Sequence, residues 1–187
     1  MTDLSPANGV AEEKTSAVLA LEQTRKLEAA FSKIERERIS DIPILNPSLH
    51  VAAIGMRPFG ESWVCALVTP WFIDLMALPQ TPEVAEAWNR MGVGTKVQHD
   101  FPAGTFEFIC GADEGLGPYR MCSLFSPVLQ FANQEAALVT AEAALTALFD
   151  ENLDQTASPD TRPAPSKKEA VQVSRRTLFL GRKAARP

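Results

Sequence analysis

Two helical stripes bracket a run of paired, turn-bounded apolar segments, and this order constrains the fold class more than any other feature of the sequence. Over 16–38, Val18, Leu21, Leu27, Phe31 and Ile34 fall within one helical stripe, with Arg25, Lys26, Lys33 and Glu35 toward the other side. Over 134–149, Leu138, Ala141, Leu145 and Leu148 recur at three- and four-residue steps. Between them, Pro43, Asn46 and Pro47 make a connector that cannot continue a helix. Two apolar runs follow, Val51–Arg57 and Ser62–Thr69, separated by Pro58-Phe59-Gly60-Glu61, a hairpin signal. A second hairpin is expected from 94–99 and 105–110 around Asp100–Gly104, and a fifth strand over Tyr119–Leu124. Helix, two strands, interruption, three strands, helix predicts an α+β, two-layer sandwich: an antiparallel sheet of about five strands packed by an N-terminal and a C-terminal helix.

The interruption is the block Pro70-Trp71-Phe72-Ile73-Asp74-Leu75-Met76-Ala77-Leu78. Pro at a first helical position before large apolar residues suggests a short turn of helix or an exposed apolar ledge. Glu83–Met91 is helix-permissive between Pro82 and Gly92. Ser126-Pro127 is expected as N-cap and first residue of the last helix.

Residues 1–15 are polar and aperiodic and are expected to be a disordered lead-in to one domain over 16–150. Residues 151–173, with Pro159, Pro163 and Pro165 among Ser, Asp, Lys and Gln, read as a tether, and 174–187 as a basic tail. The charge is uneven. Residues 41–150 carry four bases against twelve acids, or -8, whereas 151–187 carry eight against four, or +4. An acidic body disfavours nucleic acid or an anionic membrane as partner and makes a basic peptide a natural ligand. No secretory signal and no membrane-spanning run is evident, and Cys65, Cys110 and Cys122 lack C-x-x-C spacing, so a reducing, cytoplasmic setting with buried thiols is expected.

Catalytic chemistry has no foothold in the pattern. The three cysteines and His50 and His99 are too dispersed for a zinc set, and no metal or other cofactor is expected. Ser123 lacks the G-x-S-x-G elbow. Gly111–Gly117 lacks the Lys-Ser/Thr ending of a phosphate loop and carries Asp113 and Glu114, which would repel phosphate. Asp74, Glu83, Glu86 and Glu107 show no spacing that singles out an acid/base pair.

Two blocks stand out, Val68-Thr-Pro-Trp-Phe-Ile-Asp-Leu-Met-Ala-Leu-Pro79 and Cys122-Ser-Leu-Phe-Ser-Pro-Val-Leu-Gln-Phe-Ala132. Together with Asn46-Pro-x-Leu-x-Val-x-Ala-x-Gly55 and Gly104-x-Phe-x-Phe, they resemble the signature stretches of nickel-iron hydrogenase assembly chaperones of the HybE/HupJ type, over about residues 16–150. The resemblance implies a cytoplasmic, non-catalytic accessory protein with a secretion-chaperone-like α+β fold. Its partners would be the hydrogenase small subunit and that subunit's twin-arginine leader, with the large subunit or a rubredoxin-like maturation protein as further possibilities. A leader-binding chaperone needs an apolar groove and carboxylates for two arginines. Trp71, Phe72, Leu75 and Met76 are candidates for the groove, Asp74 for a guanidinium partner, and Phe125 and Pro127 for secondary peptide contacts. Two other readings stay open: a module for a folded subunit or another maturation factor, and a redox or cluster-protecting role for Cys110 and Cys122.

The end of the chain carries Ser174-Arg175-Arg176-Thr177-Leu178-Phe179-Leu180, which looks like a twin-arginine core with one residue inserted before the Phe and Gly-Arg in place of Lys. No apolar run follows it, so an export signal is not expected. A mimic of the client's leader, with Arg175, Arg176, Phe179 and Leu180 as the contacting residues, is.

Overall fold

The computed structural model describes residues 6–39 and 43–151, with side chains from Lys14 onward. The tether, the tail and its Arg175, Arg176, Phe179 and Leu180 lie outside the described residues. In chain order the elements are α1 (Pro6–Ile34), widening into one π-helical turn over Glu35–Ile39, then β1 (Ala52–Phe59), β2 (Ser62–Val68), β3 (Ile73–Pro79), α2 (Pro82–Met91), β4 (Lys96–Phe101), β5 (Gly104–Asp113), β6 (Gly117–Phe125) and α3 (Gln134–Leu148). Helix α1 starts at Pro6, so the backbone of 6–15 is helical where a disordered lead-in is expected from its lack of periodicity. Periodicity reports a packed face, whereas a helix needs only propensity: Pro6 suits a first helical position and Ala7, Ala11, Glu12 and Glu13 favour helix, against Asn8 and Gly9.

Both hairpins form as expected, but the sheet has six strands, all antiparallel, in the order β1-β2-β3-β6-β5-β4. The added strand is β3, built from the segment expected as a helical turn or ledge. Every residue of β2, and Ile73–Leu78 of β3, is buried. Strands covered on both faces lose the apolar–polar alternation and read as continuous apolar runs. The two helices lie on opposite faces, which makes three layers rather than two. Leu27, Ala30 and Phe31 of α1 pack on Trp63, Cys65, Leu67, Met76 and Leu78. The alternate residues Val64, Ala66, Val68, Ile73, Leu75 and Ala77 pack under Ala137, Ala141, Leu145 and Leu148 of α3, with Trp88 of α2 in the same cluster.

Glycine permits one close approach on each face. Gly55, in the left-handed region at φ +66°, lies under Leu145, and Gly111 lies against the ring of Tyr119 directly across the β5–β6 pair. Helix α3 is capped by Asn133, whose side chain accepts from Ala136 N–H at 2.9 Å. The expected cap at Ser126-Pro127 is therefore corrected: these two residues are exposed, joined by a cis peptide, and belong to an irregular link between β6 and α3.

Candidate protein-binding site at the ends of β3 and β6

Three of the stretches singled out in the sequence meet at one corner of the sheet. Thr69 closes the β2–β3 turn: its N–H and hydroxyl both donate to Phe72 O at 2.9 Å, and its oxygen accepts from Phe72 N–H at 2.9 Å and Trp71 N–H at 3.3 Å. Asn46, 5% exposed, braces this turn to the β6–α3 link. Its N–H donates to Pro70 O at 2.8 Å, its amide donates to Val128 O at 3.0 Å and Phe131 O at 2.7 Å, and its Oδ1 accepts from Ser48 N–H at 3.0 Å. Both amide donors and the carbonyl are thus used, which is what a buried Asn requires.

The brace presents an apolar rim. Ile44 and Leu129 are 44% and 58% exposed, Pro127 is exposed, and Phe125 and Phe131, their rings edge to face at 5.3 Å, are half-buried.

Just inside the corner sits Asp74, 3% exposed and opposite Ser123 across the β3–β6 pair. Burial pushes its carboxyl up from 3.8 to about 6, although hydrogen bonding to Ser123 and to the Leu124 backbone opposes the shift. Among the described residues its Oδ1 has no hydrogen-bond partner. Its charge is also felt by neighbours. The Cys122 thiol is raised by burial, then by Asp74 and Glu107, and the Tyr119 hydroxyl by burial, Asp113 and Asp74, with Arg38 opposing.

Helix α1 covers only part of its face of the sheet. Phe31 reaches Phe72 and Tyr119, both at 5.8 Å between ring centroids. Farther out, Ser123 of β6, Glu107 and Ile109 of β5, and Lys96, Gln98 and Asp100 of β4 are exposed. Lys96 Nζ lies 2.7 Å from Glu107 Oε1, and Thr105 donates to Asp100 at 2.6 Å. Asp74 therefore stands at the boundary between the aromatic cover under α1 and an open, polar half-sheet whose carboxylates outnumber its single lysine.

The sheet divides the residues picked out from the sequence. Trp71, Phe72, Asp74 and Met76 belong to the α1 side, whereas Leu75 and Phe125 pack on the α3 side and Pro127 lies beyond both. The expected apolar ledge is interior: Trp71 is 9% exposed, Leu75 1% and Met76 0%, leaving Phe72 as its half-buried member. Asn46 as a brace, Ser123 and Glu107 beside Asp74, and Ile44 and Leu129 on the rim were not legible as site residues. Their grouping depends on which strands neighbour β3.

Cys65, Cys110 and His99 are placed elsewhere, whereas Cys122 adjoins Ser123 in β6 and faces the other side of the sheet. Cys65 is on the α1 side and its thiol is pushed far up by burial and by Glu28, while Cys110, opposite Arg120, and Cys122 share the α3 side. All three are free thiols, and among the described residues no group of three or more His, Cys, Asp or Glu side chains is placed to hold a metal ion. His99 holds Arg120, whose guanidinium lies 2.8 Å from its Nε2 and 3.9 Å above the Trp88 ring. Burial, then Arg120, lowers the His99 pKa, with Asp100 opposing, so the neutral ring that accepts from Arg120 is favoured. No helix among the described residues is long and apolar enough to cross a membrane.

Comparison with known proteins places this architecture. The family model for nickel-iron hydrogenase assembly chaperones, HybE, matches residues 22–181. The chain is 36% identical over 171 residues to protein HoxT of Cupriavidus necator, covering 87% of this chain and 90% of that one. It is 38% identical over 123 residues to the hydrogenase expression/formation protein HupJ of Bradyrhizobium diazoefficiens, covering 66% of this chain and 69% of that one. The solution structure of HybE from Escherichia coli superposes with a TM-score of 0.51 at 22% identity, over 87% of this chain and 91% of that one, a likeness of fold.

Proposed function

The chain belongs to the HybE family of nickel-iron hydrogenase assembly chaperones, and from that premise we propose that it binds the hydrogenase small subunit in the cytoplasm, before export, by reading the subunit's twin-arginine leader. The observation that carries the leader reading is Asp74, a buried carboxylate with an unpartnered oxygen beside an open polar half-sheet. A guanidinium donates to a carboxylate in two parallel hydrogen bonds, and such charge-assisted bonds are about twice as strong as neutral ones. One leader arginine would be met by Asp74 with Ser123, the other by Glu107 in place of Lys96. The apolar half of the leader would lie on Phe72 and along the rim toward Phe125 and Pro127, while Trp71, Leu75 and Met76 support the site from within. The role asks for binding and release and uses no catalytic group.

Calorimetric titration with a synthetic twin-arginine leader tests this. Saturable binding that weakens with salt, with Arg-to-Gln changes in the leader, and about tenfold in Asp74→Asn is expected, tenfold corresponding to about 1.4 kcal/mol. Leader binding indifferent to Asp74→Asn and Glu107→Gln would reject the site.

The exposed rim supports a second reading, a contact with folded small or large subunit that ignores the leader. A leaderless subunit still captured by the wild type, and lost with Leu129→Asp, would favour it. A rubredoxin-like maturation partner is also compatible with the rim.

A further inference from the structure

We propose that the outer edge of β4 is a self-recognition surface, through which two copies of this chain join their sheets about a two-fold axis at Gln98. Strands β1 and β4 end the six-stranded order, so each has an outer side with no strand on it among the described residues. Natural proteins blunt such edges with proline, bulges or cover. The β1 edge carries all three: Pro58 lies within the strand, the register shifts between Ile54 and Arg57, and Glu28 of α1 accepts from the Ala53 N–H at 2.9 Å. The β4 edge carries neither proline nor bulge, since Lys96–Phe101 pairs with residues 104–109 in unbroken register. Helix α2, which leads into it, packs instead against β3, β5 and β6.

The ladder fixes which backbone groups that edge presents. Cys110 N–H donates to Thr95 O at 2.8 Å, so the backbone groups of Thr95, Val97 and His99 face β5 and those of Lys96, Gln98 and Asp100 face outward. In an antiparallel copy centred on Gln98, that residue exchanges both bonds with its own counterpart, and Lys96 exchanges both with the partner's Asp100. Every outward N–H and C=O of the three residues is then used. Charge selects this register over its neighbours, because opposite charges directly across a strand pair stabilise it and like charges destabilise it. Lys96, Gln98 and Asp100 alternate along one exposed face, and centring on Gln98 sets each Lys96 across from the partner's Asp100. Centring on Lys96 or Asp100 sets like charges against each other, and centring on Val97 or His99 leaves each charge without its opposite. Both groups have capacity for the contact: Lys96 reaches Glu107 at 2.7 Å with one of three donors, and Asp100 accepts from Thr105 at 2.6 Å through one of two oxygens.

The overlap needs only residues 96–100, which leaves Phe101 to its ring contacts with Phe59 and Phe149. An axis perpendicular to the sheet keeps each face on its own side, so the two polar half-sheets become one continuous surface. An edge this short makes a small interface, and a reversible dimer is expected. One pairing uses the edge up, so assembly stops at two.

Sedimentation equilibrium of the full chain tests the proposal, at concentrations up to about 500 μM because small interfaces give weak complexes. The wild type should pass reversibly from one chain to two. Lys96→Asp and Asp100→Lys each set like charges across the axis, and each should raise the dimerisation midpoint about 10-fold or more. An equimolar mixture of the two variants should recover the dimer, since every carboxylate of one then lies across from an ammonium group of the other; recovery also shows that both variants are folded. A wild type that stays monomeric, a dimer indifferent to both substitutions, a mixture as monomeric as its components, or assembly beyond two overturns the proposal. None of these outcomes bears on the leader reading.

Discussion

Replacing Asp74 by Asn should separate the stability of this fold from its proposed binding role, and the expected sizes follow from burial. The carboxyl titrates at about 6 in the folded protein against an ordinary 3.8, because burial disfavours its charged form. A carboxyl raised in this way contributes most favourably below the unfolded value and loses that contribution as pH rises through the folded value. Its cost relative to a neutral group is therefore about 1–2 kcal/mol at pH 5 and about 3 kcal/mol at pH 8. Asn removes the titration but places an amide where a carboxylate oxygen lacks a partner, a cost of about 1–3 kcal/mol that does not depend on pH. The variant should then be near neutral or stabilised by up to about 2 kcal/mol at pH 8. Whatever the amide costs, its advantage over wild type should grow by about 1–2 kcal/mol between pH 5 and pH 8. Urea unfolding of both proteins at the two pH values measures this directly, provided the m-values agree. A difference between the proteins that is the same at both pH values, or that changes in the opposite direction, would refute the burial argument.

Removing the brace with Asn46→Ala strips donors from Val128 O and Phe131 O and an acceptor from Ser48 N–H, and should destabilise by about 2–4 kcal/mol in urea unfolding. Amide exchange over 126–133 should accelerate more than exchange over β2. Gly111→Ala drives a methyl group into the Tyr119 ring and should cost about 1–3 kcal/mol, measured as a lower Tm, with the loss largely recovered in Gly111→Ala/Tyr119→Leu. Gly55→Ala combines left-handed backbone strain with overlap on Leu145 and should be at least as damaging by the same measurement.

The residues that declared their structure in the sequence are those with one buried face. The α1 stripe from Leu27 to Ile34, the α3 stripe, and the alternation through Phe106 and Phe108 each carry a period that a single packed face imposes. Strand β3 carries none, because Ile73, Leu75 and Ala77 meet α3 while Met76 and Leu78 meet α1. Its segment was legible as unusual and illegible as a strand. The same fact scattered the site residues. Trp71 through Met76 read as one ledge along the chain, yet neighbours in a strand point to opposite faces, so Asp74 and Leu75 end up on opposite sides of the sheet. Ser123 and Glu107 could not be joined to Asp74 without knowing that β6 lies between β3 and β5. Ser126-Pro127 misled for a different reason: it has the chemistry of a helix start, but Asn133, seven residues on, has the same chemistry and the apolar stripe directly behind it.

That arrangement also explains why the corner is so heavily tied. An aspartate held above its ordinary pKa inside a sheet is a standing cost, and strand ends free to relax would turn the carboxylate to water and remove it. The Thr69 turn and the Asn46 brace deny that motion by spending their own hydrogen bonds on the segments just before and just after the Asp74–Ser123 pair. The carboxylate is left buried, with one oxygen unpartnered, at the border of the polar half-sheet beyond β6. Rigidity at the corner and instability at Asp74 are then two parts of one device, and loosening the first should lower the second. In Asn46→Ala the Asp74 carboxyl should titrate below about 6, closer to 3.8, which carbon-detected titration of the side chain reads directly. A titration unmoved by the loss of the brace would show that the interior of the sheet alone, and not the corner, holds Asp74 in place.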